Sequence, residues 1–299
     1  MKILEALDKY IEHQEVVGNT QKTIQHNRSH LKFFINWCGN IEIEDFTYDI
    51  YKNYILFLKH KKTKYNKPLA SRTIFTYAEC LKAFIHFCEN SNIITNDVFS
   101  QIQLPRYQKK VIRILNENEI KAILNYFDSN SFYGARNNLI ISLMLDCGLR
   151  LSEVINLKFT DFQKERKVIL VNGKCQKQRF VPFSSSTQIY FDKYLSFFEN
   201  KFVPTEQFFV DIVGFPISTE AIRSFIQKMR KNLGIKDLHP HLLRHTFATT
   251  FLLNGGDPLH LQIILGHTTL TMTENYVHIA RQLSIAEQMI YSPLANLKY

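Results

Sequence analysis

Apolar residues recur at three- and four-residue spacing through residues 1–90, as in Ile3, Leu4, Leu7 and Ile11 and again in Ile24, Leu31, Phe34 and Ile35. That spacing gives each segment one apolar face and predicts helices. Four fit. Thr20 is placed to cap the second, Thr47 or Asp49 opens the third, and Ser71 is placed to cap the fourth, which runs through Ile74, Leu81, Phe84 and Phe87. From Ser91 to Arg113 the periodicity fails, Pro105 interrupts, and Arg106, Lys109, Lys110 and Arg113 accumulate, which reads as a linker (91–113) between a helical domain (1–90) and a second domain (114–299). In the second domain Asn116 caps a short helix through Ile120 and Leu124. The nearly continuous apolar stretch Leu139–Leu145 predicts a buried helix ending at Gly148. The period then changes. Val168–Val171, the turn Asn172-Gly173 and Arg179–Phe183 predict a β-hairpin, with Leu157–Phe162 a candidate third strand, and helices resume from Thr219. The fold class is therefore mainly α with a small antiparallel β-sheet.

Composition narrows the function. The chain has 299 residues with 45% hydrophobic and 21% charged, the balance of a globular protein able to bury a core in each of two domains. Its formal net charge of +10 implies a polyanionic partner, and the excess is +5 in residues 1–110 and +5 in 111–299, so both halves can touch the same polyanion. The five cysteines are odd in number and lack a Cys-x-x-Cys spacing, which points to a reducing cytoplasm and to neither a disulfide framework nor a zinc site. No signal peptide and no membrane-spanning run is expected. There is no Gly-rich phosphate loop and no internal repeat, so no nucleotide cofactor is implied.

Single residues are ambiguous. The loop Lys59–Lys67, carrying Lys61, Lys62 and Lys64, is either a solvated surface or a phosphate contact. Arg150 follows Gly148-Leu149 at the mouth of a helix beginning near Ser152, where a guanidinium matches two phosphate oxygens or serves as a surface ion-pair partner. His241 and Arg244 stand three residues apart, near one helical turn, and are expected on one face, with His239 and His245 pointing elsewhere. Lys174 follows the hairpin turn, with Lys177 and Arg179 close by. It is a turn lysine in water, or a general acid whose pKa neighbouring arginines lower. Tyr276, after Gly266-His267 on a separate helix with Thr271 or Thr273 as cap, needs a base or cations to become a nucleophile. The histidines have no Cys or carboxylate cluster beside them, so no metal is expected there.

Together, Arg150, Lys174, His241-Leu-Leu-Arg244, Gly266-His267 and Tyr276 resemble, in order and spacing, the tyrosine recombinase (lambda integrase-like) family, most closely its bacterial Xer-like members. Gly148-Leu-Arg-Leu-Ser-Glu-Val, Asn172-Gly-Lys through Arg179-Phe-Val-Pro, and Leu265-Gly-His-Thr-Thr-Leu look similar too. The resemblance spans nearly the whole chain and is strongest from Arg150 to His278; the N-terminal part resembles the family's helical, SAM-like core-binding domain more loosely. It implies a site-specific recombinase acting on double-stranded DNA. Arg150 and Arg244 would clamp the scissile phosphate and Tyr276 would form a 3′-phosphotyrosyl link. Lys174 would protonate the leaving 5′ oxygen, His241 would assist proton transfer from the tyrosine, and His267 would hydrogen-bond the phosphate. Glu153 would orient this set, and Lys61, Lys62, Lys64, Arg72, Lys177 and Arg179 would contact DNA. It also implies a homo-oligomer, a tetramer in synapsis, with or without a partner recombinase. The tail Ile279–Tyr299, with Ile285, Met289 and Ile290 at helical spacing, docks on a neighbouring protomer in this family or packs on its own domain. Dimer resolution, integration and transposition are all compatible. The competing readings are a type IB topoisomerase, which shares the chemistry, and a helix-turn-helix regulator built on Thr249–Leu265.

Overall fold

A computed structural model describes residues 1–108, 113–173, 177–198 and 205–284. The chain divides into two compact units, 1–110 and 111–299.

The first unit is four helices: α1 (Ile3–Val16), α2 (Gln21–Cys38), α3 (Tyr48–His60) and α4 (Ser71–Asn90). Thr20 and Thr47 cap α2 and α3, their hydroxyls accepting from the N–H groups of Thr23 and Ile50. The fourth cap differs from expectation: Ala70 precedes α4 and Ser71 is its first residue, with no side-chain cap bond. The apolar stripes meet in a core containing Leu7, Leu31, Phe34, Tyr54, Leu58 and Phe84, each such side chain contributing about 1.5–3 kcal/mol on burial. The segment expected as a linker is shorter than its loss of periodicity implied. Ile94, Val98 and Ile102 are buried in this same core, and the Glu89 carboxylate accepts from the N–H groups of Val98 and Phe99 at 2.8 Å each. Irregular backbone can be anchored by a few apolar side chains and one carboxylate without any helical period.

In the second unit the elements run α5 (Glu117–Leu124), α6 (Phe132–Asp146), α7 (Leu151–Ile155), β1 (Phe162–Gln163), β2 (Val168–Asn172), β3 (Gln178–Pro182), α8 (Ser185–Leu195), α9 (Thr219–Leu233), α10 (Pro240–Leu253), α11 (Pro258–Leu265) and α12 (Leu270–Leu283). Asn116 caps α5, completing a reciprocal pair with Glu119. Residues Gly134–Met144 of α6 are buried without interruption, because α8 and α10 pack against it. The sheet is antiparallel, ordered β1-β2-β3, with Asn172 opposite Gln178 at the hairpin end. The expected third strand begins only at Phe162; Phe159–Asp161 is a 3-10 turn. Ile169, Val171 and Val181 face the core, and Arg179, two residues before Val181 on β3 and therefore on the same face, meets α11 at the edge of that core. Among the described residues, no helix is long and apolar enough to cross a membrane.

Candidate active site

Chain reversals, rather than long elements, deliver the site's charged groups. The turn after α6 reaches Gly148 at φ +63°, a left-handed conformation suited to glycine, and a Cβ there would sit 2.4 Å from the Phe247 ring. The chain can therefore pass close to α10. The Gly148 carbonyl accepts from Arg244 Nη1 at 2.6 Å. Two residues on, Arg150 precedes α7, and its backbone N–H donates to Glu153 Oε2 at 2.8 Å, which satisfies a helix-start donor. Its guanidinium bonds Glu153 Oε1 at 2.9 Å and the Leu265 carbonyl at 3.1 Å. Arg244 Nη2 bonds the same Leu265 carbonyl at 2.8 Å. Two cations that are 94 residues apart in sequence thus converge on one oxygen at the end of α11.

Glu153 is the counter-charge at the centre. Besides Arg150, it receives both Nη groups of Arg179 at 3.0 Å and has Arg244 Nη1 at 3.9 Å. Burial pushes its carboxyl up, but bonding and charge from Arg179, with Arg150 adding, outweigh it, and the net shift is downward. Arg179 corrects the sequence reading. Expected on DNA, its side chain is 8% exposed, and its Nε–H is also used, on the Ile264 carbonyl at 2.7 Å. It holds Glu153 and α11. Arg244 is held down to about 10 by burial first and by the Arg150 charge second, so it stays protonated at neutral pH.

Tyr276 on α12 is buried in a small core with Ala248, Leu261, Leu265 and Ile279. Its phenol pKa is raised by burial, against the lowering charges of Arg244 and Arg150. The nearest base is not the one expected. His245 Nδ1 lies 2.7 Å from the Tyr276 hydroxyl, whereas the His241 ring is 6.4 Å from that of His245 and exposed to solvent. His239 points away as expected, because its Nδ1 caps α10 by accepting from Leu242 N–H. Arg244 is buried and His241, one turn before it on α10, is exposed, so the two differ in depth although the charge of Arg244 still reaches the His241 ring. Burial first, then the charges of His241, His239 and Arg244, lowers the His245 pKa to about 4, leaving its ring neutral at pH 7.

His267 is also lowered to about 4, by burial first and then by Arg244 and Arg150. Arg244 Nη2 is 3.3 Å from its Nε2, and arginine can only donate, so Nε2 accepts and Nδ1 carries the proton toward Thr273 Oγ1 at 2.9 Å. Both ring nitrogens are thus engaged by protein, and the ring stacks on Tyr276 at 6.0 Å and 11°. Arg150, Lys177, Gly266 and His267 line an open cleft beside this cluster. Lys174 lies outside the described residues.

The remaining expected DNA contacts are in the first unit. Lys61 places its ammonium 5.1 Å from the Phe33 ring centroid, Lys64 sits 5.0 Å from that of Tyr65, and Lys62 pairs with Pro68 in a bridge closing the basic loop. Arg72 lies over the rings of Phe75 and Tyr107 at 4.9 and 4.5 Å, which fixes an exposed guanidinium in one direction.

Family comparison agrees with this geometry. Residues 113–282 match the phage integrase family and residues 2–108 match the phage integrase SAM-like domain. The chain is 30% identical over 245 residues to the tyrosine recombinase XerC of Staphylococcus epidermidis, covering 81% of each, and 28% identical over 297 residues to that of Oceanobacillus iheyensis, covering 97% of this chain and 96% of the relative. In fold it is similar to the Tn1549 transposon integrase in complex with transposon right end DNA, at a TM-score of 0.76 and 22% identity, covering 97% of this chain and 98% of that one. With two clustered arginines, a histidine-flanked tyrosine and these matches over both units, the chain belongs to the phage integrase family of tyrosine recombinases, and its activity is site-specific DNA strand cleavage and rejoining of that type.

Proposed function

We propose that Tyr276 is the nucleophile of a strand-transfer reaction in which Arg150 and Arg244 grip the scissile phosphate. The observation that carries this reading is the convergence of both guanidiniums on the Leu265 carbonyl, with Tyr276 stacked on the histidine that Arg244 touches. The phenol oxygen attacks phosphorus, the bond from phosphorus to the 5′ oxygen breaks, and a 3′-phosphotyrosyl ester keeps the energy of the broken bond for religation. Charge growing on the phosphoryl oxygens is met by donors already oriented by Glu153 and backbone carbonyls, and one such donor is worth about 3–4 kcal/mol. Neutral His245, at hydrogen-bond distance, accepts the phenol proton. His267 holds Arg244 and the Tyr276 ring in register. Lys174 is the proton donor to the 5′ oxygen, a role resting on its place after Asn172-Gly173.

The substrate is a double-stranded recombination site. Exposed Lys62, Lys64 and Arg72 in the first unit, and Lys177, Lys228 and Lys231 in the second, support contact from both. Exchange between two duplexes breaks four strands, and one tyrosine per chain breaks one, so four copies act together. Four cysteines, Cys38, Cys80, Cys88 and Cys147, are free thiols, which supports a cytoplasmic setting.

The test uses a duplex selected by binding from a random-sequence library and nicked so that the cleaved fragment diffuses away. Wild type accumulates a covalent protein–DNA adduct; Tyr276→Phe binds the duplex but forms none. An adduct persisting in Tyr276→Phe assigns the nucleophile elsewhere.

A further inference from the structure

Far from the active-site cluster in sequence, the first unit gathers His26, His30 and Cys80, each offering one ligand atom within 4.8 Å of the others. His26 and His30 are four residues apart on α2 and so emerge on one face, their ring centroids 4.0 Å apart. Cys80 comes from α4, which packs on α2. We propose that these three side chains bind a zinc-class divalent cation through two imidazole nitrogens and a thiolate, with water as fourth ligand.

The ligand chemistry is pre-set. His30 Nδ1 lies 2.8 Å from the His26 backbone carbonyl, which can only accept, so Nδ1 carries the proton and Nε2 keeps its lone pair. Metal-bound histidines hold their second nitrogen in this way. Tyr77 packs on the His30 ring at 4.4 Å and limits its rotation. The Cys80 thiol is buried and directed at the Asn27 side-chain oxygen at 3.6 Å, while His26 is exposed and gives the ion a way in. Tetrahedral zinc with nitrogen and sulfur ligands sets neighbouring ligand atoms about 3.3–3.6 Å apart. The three ligand atoms lie within 4.8 Å of one another, so side-chain rotation, least hindered at the exposed His26, has about 1 Å to close. Binding breaks the Cys80 S–H bond, releases the proton to solvent and forms the metal–sulfur bond; no electron is transferred. Spacing alone could not reveal the site, because Cys80 is 50 residues from His30 and lacks a second cysteine nearby. A bound ion would tie α2 to α4 within the DNA-binding unit.

Cobalt(II) titration of the full chain is the test. One equivalent should give thiolate-to-cobalt charge-transfer absorption, displaced by zinc. Cys80→Ser should remove that absorption, and His26→Ala, at an exposed position that leaves the fold intact, should weaken binding at least about tenfold, the low end of what losing even an outer-shell partner of a ligand costs. The proposal is overturned by absence of the band in wild type, by its survival in Cys80→Ser, or by unchanged affinity in His26→Ala.

Discussion

Replacing Glu153 by glutamine removes one negative charge from the centre of three guanidiniums while keeping the side chain's shape. Glu153 and Arg244 are each 5% exposed and Arg179 is 8% exposed, so water cannot take over the carboxylate's role. The amide keeps one acceptor and turns the other oxygen into a donor facing arginine donors. Breaking one partner of a buried ion pair costs about 3–5 kcal/mol. With a urea dependence of about 2–3 kcal/mol per molar, that lowers the catalytic unit's midpoint by about 1–2.5 M. The assay is urea unfolding of the full chain followed by far-UV circular dichroism. The single tryptophan, Trp37, lies in the first unit and its fluorescence identifies that unit's own transition. Acidity provides a second check. The Glu153 carboxyl is held below its ordinary value, so its contribution is present above the unfolded pKa of about 4.3 and is lost as pH falls through the folded value. The gap between wild type and Glu153→Gln therefore narrows below about pH 4. A midpoint shift under about 0.5 M at pH 7, or a gap that ignores acidification, refutes the assignment of Glu153 as the charge that holds the arginines.

His245→Ala should slow covalent attachment by about 10²–10⁴-fold in single-turnover assays, with DNA binding retained, as expected for loss of a proton acceptor. An unchanged rate, or a slowing seen instead with His241→Ala alone, returns the role to the exposed histidine. Gly148→Ala places a methyl group against Phe247 and Leu265 at a positive φ and displaces the carbonyl that holds Arg244. The steric term alone should cost about 1–3 kcal/mol, read as a lower melting temperature with a matching loss of adduct.

The local order of the chain was legible in its residues. Three- and four-residue apolar spacing marks the helices of the first unit and the continuous run Leu139–Leu145 marks α6, but α8 carries no such signal; the caps at Thr20, Thr47 and Asn116 are readable because a cap bonds within three residues of itself, and Asn172-Gly173 after the run Val168–Val171 marks the hairpin. The identities of Arg150, Glu153, Arg244, His267 and Tyr276 were legible as a spaced motif. Their partners were decided by tertiary structure alone. Arg179 reads as a free cation because the carboxylate that binds it is 26 residues away and comes close only when α7 is folded beside β3. Sequence spacing favours His241 over His245 because it fixes a side chain's angle around α10 but not which ring α12 delivers Tyr276 against. The stretch after Ser91 read as a linker because its few buried apolar residues carry no period. Sequence encodes what neighbours along the chain do to one another; the pairing of charges and bases in a site depends on which distant surfaces pack together, and burial then sets which protons those groups can hold.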